Sequence, residues 1–178
     1  CIRDRIYTTC SRSDTPVTVY SNTNGDQAPA HGLNNGFCET CGYMEPAVQN
    51  AEGTYEISNA GQLYWFAGLV NGTLEGVEQK RSANAVLTAD IVLNKHVLND
   101  AGELNQGTFR PWTLMGISDM SYFGIFDGQG HAILGMYLNE SGTDYVGLFR
   151  SASGTITNLC LDDFYAVSYT HLTLPTIL

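Results

Sequence analysis

Residues 122–161 read YFGIFDGQGHAILGMYLNESGTDYVGLFRSASGTITNLCL, and this stretch contains an internal repeat. The segment YFGIF at residues 122–126 recurs as YVGLF at residues 145–149, 23 residues later. Between these segments, short runs with alternating apolar residues are separated by glycines, a pattern typical of short strands joined by tight turns. A repeat of this length predicts a solenoid, in which each repeat buries its apolar face only against its neighbours. We therefore expect a parallel β-helix in which residues 122–126 lie directly below residues 145–149 and Ile133 stacks on Ile156.

Two parts of this stretch also resemble a known family. Residues 147–149 and 154–159, GLF and GTITNL, are similar to the GLUG motif of bacterial cell-surface proteins. Residues 126–133, FDGQGHAI, are similar to the FDGxGHxI segment that precedes the motif, and the similarity extends from Ile57 to Leu161. The resemblance implies an all-β fold, a right-handed parallel β-helix, within a large secreted or wall-attached protein. In that family such regions serve as adhesive or spacer segments.

The composition is acidic and contains few charged residues. The chain has 178 residues, 43% of them hydrophobic and 15% charged, with a formal net charge of −10. This length is enough for one medium domain and a small appendage. The negative charge argues against a nucleic-acid partner and against anionic lipid. We expect no membrane insertion, because no apolar run approaches the length of a membrane span, and a monomeric unit within a longer chain.

Both ends of the sequence favour a fragment of a longer protein. The chain begins with Cys1 and has no signal peptide, so missing targeting signals carry little weight. Residues 167–176, VSYTHLTLPT, resemble the translation of a transposon-end adapter used to build sequencing libraries. The competing interpretation is a terminal strand, since Val, Tyr and Thr favour strands. We expect residues 167–178 to derive from the adapter and the natural protein to continue past Ala166 with further coils.

Residues 1–46 form a distinct segment that holds four of the five cysteines. Within it, Cys38 and Cys41 form a Cys-x-x-Cys pair followed by glycine, which is the knuckle of a zinc ribbon because a tight turn brings both thiolates onto one tetrahedral ion. Structural zinc takes four ligands. We therefore expect a structural zinc ion held by Cys38, Cys41, Cys10 and His31, with Cys1 as the reserve ligand.

Two other interpretations of the cysteines stay open. In an oxidising compartment Cys10 could form a disulfide with Cys38 or Cys41. A redox pair of the thioredoxin type requires a βαβ setting, which this sequence does not indicate. The HxxxNGFCxxCGxxEPA pattern beginning at His31 also resembles small cysteine-rich modules that precede β-helices in these surface proteins.

A helix is predicted between a linker at residues 47–54 and the coils, which start within residues 55–166. Ser58 or Asn59 can cap its start and Asn71-Gly72 can end it. Its apolar face consists of residues at helical spacing: Leu63, Phe66, Ala67 and Val70. We expect the helix to cover the open end of the first coil. Tyr64 and Trp65 lie off this face and are the aromatic candidates for surface binding.

The coils are expected to follow at nearly constant length. Residues 85–93, AVLTADIVL, predict the first strand, and counting back from Leu161 by coils gives Leu138, residues 115–117 and Leu93. Residues 95–109 predict a loop that protrudes from the stack. Residues 111–116 also resemble the W-x-P-I-G strand of the family.

The acidic residues do not predict a catalytic site. A glycosidase needs two carboxylates a defined distance apart, and no two of the candidates recur at the 23-residue offset: Asp90, Asp127, Glu140, Asp144, Asp162 and Asp163. His131 has no obvious Ser or Cys partner. Cys160 is interpreted as a small packing residue rather than a nucleophile.

The predicted function is therefore non-catalytic. We expect a segment of a secreted bacterial surface protein, extracellular at the cell surface or wall, that acts as a rigid stalk or adhesive β-helix. Its partner would be a host or bacterial surface protein or a glycan. The alternative is the N-terminal part of a carbohydrate-active β-helix enzyme, a polysaccharide lyase or hydrolase, whose catalytic coils lie beyond Ala166.

Overall fold

The computed structural model describes residues 19–21, 27–29, 32–116, 121–141 and 147–169. The strands and the helix follow one another in this order: β1 (Val19–Ser21), β2 (Gln27–Pro29), β3 (Leu33–Asn34), β4 (Phe37–Cys38), β5 (Val48–Gln49), β6 (Tyr55–Ile57), α1 (Ala60–Asn71), β7 (Ala85–Leu87), β8 (Ile91–Val92), β9 (Ile125–Asp127), β10 (Ala132–Leu134), β11 (Tyr137–Ser141), β12 (Thr155–Thr157), β13 (Cys160–Asp162) and β14 (Tyr165–Tyr169).

Short parallel strands in three sheets surround the core. Sheet 1 has the order β12-β9-β7-β6-β5, sheet 2 the order β13-β10-β8, and sheet 3 consists of β11 and β14. All pairs in these sheets are parallel except β5 with β6. The segments β9-β10-β11 and β12-β13-β14 therefore each contribute one strand to every sheet in turn. We call each run of the chain through the sheets a pass.

The predicted fold class, an all-β right-handed parallel β-helix, is wrong. Sheet 1 is mixed, because β5 runs antiparallel to β6, and two further pairs, β1 with β2 and β3 with β4, are antiparallel hairpins. A helix lies in the core among the strands. In the described ranges no closed solenoid is found. The passes are also unequal, since Tyr55 pairs with Ala85 after 30 residues and Ala85 pairs with Phe126 after 41.

The 23-residue repeat does not set the pairing register. Ile133 lies beside Leu161 rather than Ile156, and Ile156 pairs with Phe126. The paired residues of β9 and β12 are 30 apart in the chain, as in Ile125 with Thr155, and those of β10 and β13 are 28 apart. The register is decided by which side chains must face the core, and turns of unequal length shift it away from the sequence repeat.

The two repeat segments form isolated β-bridges with different parts of the chain and not with each other. Tyr122 forms a parallel bridge with Ala152, and Phe149 forms one with Met115. The predicted placement of residues 122–126 directly below residues 145–149, of which 145 and 146 lie outside the described residues, is therefore wrong. The predicted series of coils through Leu161, Leu138, residues 115–117 and Leu93 is wrong as well, because Leu161 lies beside Ile133, which lies beside Ile91.

The predicted helix is present, with its caps. Asn59 is the N-cap, and its side-chain oxygen accepts the N–H of Gln62 at 3.0 Å. Gly72 ends the helix in the left-handed conformation at φ 70°, and its N–H donates to the Gly68 carbonyl. These are the local signals from which helix ends can be predicted.

The surroundings of the helix differ from the prediction. Every residue of α1 except Trp65 is buried, so the helix has no solvent-facing side. The Phe66 ring lies 6.3 Å from that of Tyr122 and 6.1 Å from that of Phe126. Tyr64 is buried as well, which removes it as a surface binder. A helix that is apolar on all sides is a core element.

Three other segments have defined structures. Residues 47–54 contain the buried Ala47, strand β5 and the turn that joins it to β6. Residues 85–93 form two short strands, β7 and β8, instead of the predicted single one. Strand β14 continues to Tyr169, so residues 167–169 of the predicted adapter-derived segment pair with β11. The division of the chain at residue 46 and the origin of the tail stay predictions.

Candidate functional site

The Cys-x-x-Cys pair lies in a tightly hydrogen-bonded turn. Asn35 and Gly36 join β3 to β4 with φ of 49° and 78°, a turn that Asn-Gly favours. The N–H of Gly42 donates to the Cys38 carbonyl at 2.8 Å, and the N–H of Cys38 donates to the Tyr43 carbonyl at 2.9 Å. Gly42 has a φ of 73°. The turn places two thiols within one short loop, a donor chemistry that fits the metal knuckle predicted from the sequence.

The other predicted ligands cannot be placed. Cys10, His31 and the reserve Cys1 lie outside the described residues. Among the residues that the structure describes, no group of three His, Cys, Asp or Glu could hold a metal ion. The zinc site therefore stays a prediction, and Cys38 and Cys41 are the members whose turn is known.

This cysteine turn is attached to the start of the helix by a polar network. The Glu45 carboxylate accepts the side-chain amides of Asn59 at 2.8 Å and of Gln62 at 3.1 Å. The main-chain carbonyl of Asn35 accepts the N–H of Gly61 at 2.9 Å. The side-chain oxygen of Asn35 accepts the N–H of Ala60 at 3.2 Å. Sequence analysis missed this network, because its partners are up to 26 residues apart.

An aromatic contact accompanies the network. The Phe37 ring packs edge-on against Tyr64 at 5.3 Å, and the Arg110 guanidinium lies 3.9 Å from the centre of the Phe37 ring. The hydroxyl of Tyr64 donates to the Pro111 carbonyl at 3.0 Å, and burial raises the pKa of this hydroxyl. The cysteine turn thus shares its core contacts with the rest of the chain.

Asp90 and His131 form the pair that most resembles a catalytic dyad. The His131 Nδ1 and Asp90 Oδ1 atoms are 3.2 Å apart, and the same oxygen accepts the N–H of Ala132 at 2.9 Å. The Ala132 bond, followed by that of His131, lowers the pKa of the Asp90 carboxyl. In the described part of the chain, no hydroxyl or thiol hydrogen-bonds to His131. The pair therefore joins the turn before β8 to β10.

Asp127 has a similar role between the last two passes. Its carboxylate accepts the N–H of Gln129 at 2.9 Å and the side-chain amide of Asn158 at 3.0 Å. The Gln129 bond, followed by that of Asn158, lowers the pKa of the Asp127 carboxyl. Both Gln129 and Asn158 have a φ of 50°, as turn residues. The carboxylate holds one turn against the next.

The remaining carboxylate candidates also have structural partners or lie outside the described side chains. Asp163 accepts the N–H groups of Val97 and Leu98 at 3.1 and 2.8 Å and so fixes the start of the predicted loop at residues 95–109. Asp162 accepts the N–H of Asp163 at 2.8 Å. The side chains of Glu140 and Asp144 are not among those described.

A shallow cleft of about 370 Å³ lies where the β3–β4 turn meets β8. It is lined by Asn34, Asn35, Asp90, Val92, Leu93, Asn94 and Lys95. Its amides are already used, because Asn35 donates to the Val92 carbonyl at 2.7 Å and Asn94 donates to the Gly135 carbonyl at 2.8 Å. Asn34 donates to the Glu39 carboxylate at 2.9 Å, so the charged side chains of Asp90 and Lys95 are the polar groups of the lining that face solvent.

An exposed apolar pair, which we call the outer strip, lies at the start of β9 and just before it. Phe123 is 49% exposed and Ile125 is 50% exposed. They lie on the face opposite to Tyr122 and Phe126, which are fully buried. The Arg81 guanidinium lies 5.4 Å from the centre of the Phe123 ring. Cys160 is also exposed, so its interpretation as a packing residue is wrong.

Comparison with known proteins gives no relative: no family model, no curated protein and no solved structure matches the chain. The resemblance to GLUG-motif proteins thus remains a hypothesis that depends on residues 126–133, 147–149 and 154–159. Of the helices among the described residues, none has the length and apolar character needed to span a membrane.

Proposed function

We propose that this chain is a non-catalytic segment of a secreted bacterial surface protein, a rigid stalk whose outer face adheres to a protein or glycan. The resemblance to GLUG-motif proteins supports the extracellular setting. The acidic net charge of −10 favours partners other than nucleic acid and anionic lipid. The remaining support comes from how the polar side chains are used.

The single observation that carries the proposal is that the described carboxylates, which were the candidates for acid–base catalysis, are hydrogen-bonded to main-chain N–H groups. Asp90, Asp127 and Asp163 each accept main-chain N–H groups from a turn or from another segment. The pKa values of Asp90 and Asp127 are lowered, whereas a general acid needs a raised one. These carboxylates act as cross-links between passes, as a stalk requires.

The outer strip is the surface that we assign to adhesion. An aromatic ring beside a guanidinium offers an apolar face and a hydrogen-bond donor together, which suits a sugar ring or a protein side chain. Ile125 belongs to β9, which has neighbours on both sides, and the N–H of Phe123 donates to the Arg81 carbonyl at 3.0 Å, so both residues are held in place. We expect Phe123 to supply most of the contact energy.

The test is binding of the chain to a glycan array and to bacterial and host cells, with matched variants. Phe123→Ala should weaken binding by at least about tenfold, as loss of an aromatic anchor does. Phe164→Ala is the control, because Phe164 is 47% exposed at another place. Equal loss in both variants would remove the outer strip from the proposal.

The alternative, a carbohydrate-active enzyme, is tested on the same arrays. Release of oligosaccharides or of unsaturated sugar ends by this chain would replace the proposed function. Loss of that release in Asp90→Asn would then point to the Asp90–His131 pair. Binding without any product supports the adhesive role.

A further inference from the structure

An arginine and an aromatic ring are held side by side at the outer strip. The N–H of Phe123 donates to the main-chain carbonyl of Arg81 at 3.0 Å, and the Arg81 guanidinium lies 5.4 Å from the centre of the Phe123 ring. The main-chain bond fixes the two residues to each other whether or not a ligand is bound. The cation and the ring are therefore preorganised for a partner that uses both.

The outer strip lies at the side of the sheets, between two described passes. Arg81 binds the main chain of Phe123 on one side, and on the other side an added Cβ at Gly154 would meet the main-chain carbonyl carbon of Phe123 at 2.7 Å. Ile125 lies in β9, between β7 and β12. The side chains of Phe123 and Ile125 are nevertheless 49% and 50% exposed. Their exposure belongs to the side of the sheets, where a ligand can approach.

The Arg81 guanidinium has no carboxylate partner within the described part of the chain, where the ion pair joins His131 and Asp90 instead. The chain has 18 acidic and 8 basic residues, so an arginine without an acidic partner is available to bind an anion from outside. Asp127 lies four residues after Phe123, about 13 Å along an extended strand. Salt screens most of the repulsion at such a separation.

The polar groups around the Phe123 ring are hydrogen-bond donors. The Asn84 side-chain oxygen accepts the N–H of Ile125 at 2.9 Å, so the oxygen is already used. The Asn84 amide nitrogen is left to donate, and in the described ranges it has no acceptor. Arg81 can only donate as well. An apolar ring bordered by donors suits a ligand that is rich in acceptor oxygens.

We propose that the outer strip recognises a sugar that carries a carboxylate, a uronic-acid unit of a glycan. The planar guanidinium of Arg81 binds the carboxylate through two parallel hydrogen bonds. The negative face of the Phe123 ring packs against the C–H groups on one side of the sugar ring. The inference rests on the proposed function, because it names the ligand class of the surface assigned to adhesion.

The net charge of −10 limits the kind of acidic glycan that fits. A long run of adjacent carboxylates would be repelled by the rest of the surface. The inference therefore specifies short uronic-acid segments, or single uronic-acid units spaced by neutral sugars.

The experiment is calorimetric titration of the full chain with trisaccharides of galacturonic acid and of glucuronic acid, and with their methyl esters. Each acid and its ester differ in the charge of the carboxyl groups. At least one acid should bind at least about tenfold more tightly than its ester. Arg81→Gln should remove that difference, and Arg81→Lys should keep part of it, because lysine retains the charge but not the planar fork.

Lys80→Gln is the matched control, since it removes the same charge from an exposed side chain one residue earlier and should leave the preference intact. The fold uses the main-chain carbonyl of Arg81, so the variants at both positions should fold. An equal loss of preference in Lys80→Gln would overturn the inference, because net charge rather than the Arg81 guanidinium would then select the ligand.

The remaining outcomes separate this inference from the proposed function. Equal binding of acids and esters, lost in Phe123→Ala, would overturn the acid preference and leave adhesion to glycans in place. Binding of neutral glycans or of cells, with no binding of either uronic acid, would do the same. Binding of an aspartate-rich peptide with the same dependence on Arg81 would replace the sugar by a protein partner. Absence of binding to any glycan, protein or cell would overturn the inference and the proposed function together.

Discussion

The start of α1 and the strands at residues 155–169, which we call the terminal layer, differ in how well they are covered. At the start of α1, the cysteine turn is held by Glu45 and Asn35, and Phe37 is 5% exposed within the common core. The side chain of Asn35 also accepts an N–H group of the first helical turn. In the terminal layer, by contrast, Ile156 is 41% exposed.

This contrast shows where the stability of the fold should be concentrated. Passes near α1 have neighbours on both sides, and their inward side chains make contacts above and below. The terminal layer has a described neighbour on one side, which is β9 for strand β12. We therefore expect changes near the cysteine turn and α1 to affect stability more than changes in the terminal layer.

The largest effect is expected from removal of metal. If Cys10, His31, Cys38 and Cys41 hold a zinc ion, its binding supplies about 10–16 kcal/mol of apparent free energy to the segment that contains them. Chelation should then loosen residues 1–46, in which Phe37 and Glu45 keep their contacts with α1, and leave the strands of the three sheets in place. The measurement is metal content by mass spectrometry, followed by limited proteolysis with and without chelator.

Matched variants separate zinc from the disulfide interpretation. Cys41→Ser should abolish zinc binding and reproduce the protease pattern of the chelated protein, whereas Cys160→Ser should do neither, because Cys160 lies on β13. Absence of bound zinc in protein purified under reducing conditions would favour the disulfide. A protease pattern that does not respond to chelator would do the same.

The next effect compares one inward position in two neighbouring passes. Phe126 and Ile156 are paired in register, but the first is fully buried and the second is 41% exposed. Phe126→Ala should lower the free energy of unfolding by about 3–5 kcal/mol, the usual cost of truncating a buried phenylalanine. Ile156→Ala should cost about 1 kcal/mol, since part of its surface is already in water. Urea denaturation measures both, and equal costs would show that the terminal layer is as well packed as the pass below it.

Structural features that depend only on residues close together in the chain could be predicted from the sequence. The helix was predictable because Asn59 and Gly72 are local signals that act within four residues of the helix ends. The cysteine turn was predictable for the same reason, since Cys38 and Gly42 are joined by a single hydrogen bond. Such features need no knowledge of which segments meet.

The pairing of strands was not predictable in this way. Strands of two or three residues can pair in several registers with little difference in local propensity. The 23-residue repeat suggested one register, yet Ile133 meets Leu161 because the intervening turns differ in length. The contacts of Glu45 with the helix were missed for a related reason: they join residues that only the final fold brings together.

The smallest predicted effect is a loss of folding stability at acidic pH, caused by protonation of Asp90 and Asp127. Asp127 extends this effect to the terminal layer through its hydrogen bond with Asn158. The fold lowers the pKa of Asp90 and of Asp127, so the folded chain binds fewer protons at these groups than the unfolded chain. Their contribution to stability is full above the unfolded value of about 3.9 and is lost as the pH falls through the folded values. Both carboxylates are in contact with water, so the contribution is small.

Asparagine at either position keeps an acceptor oxygen and removes the titration. Asp90→Asn and Asp127→Asn should therefore flatten the loss of stability between neutral pH and pH 3, although each variant is less stable at neutral pH. The measurement is the urea midpoint across that pH range, together with hydrogen exchange of residues 155–162. Since Asp127 binds Asn158, its variant should change the acid response of exchange in the terminal layer, whereas Asp90→Asn should change it in β10. An unchanged pH slope in both variants would mean that these carboxylates do not couple the passes, and that other groups cause the acid sensitivity.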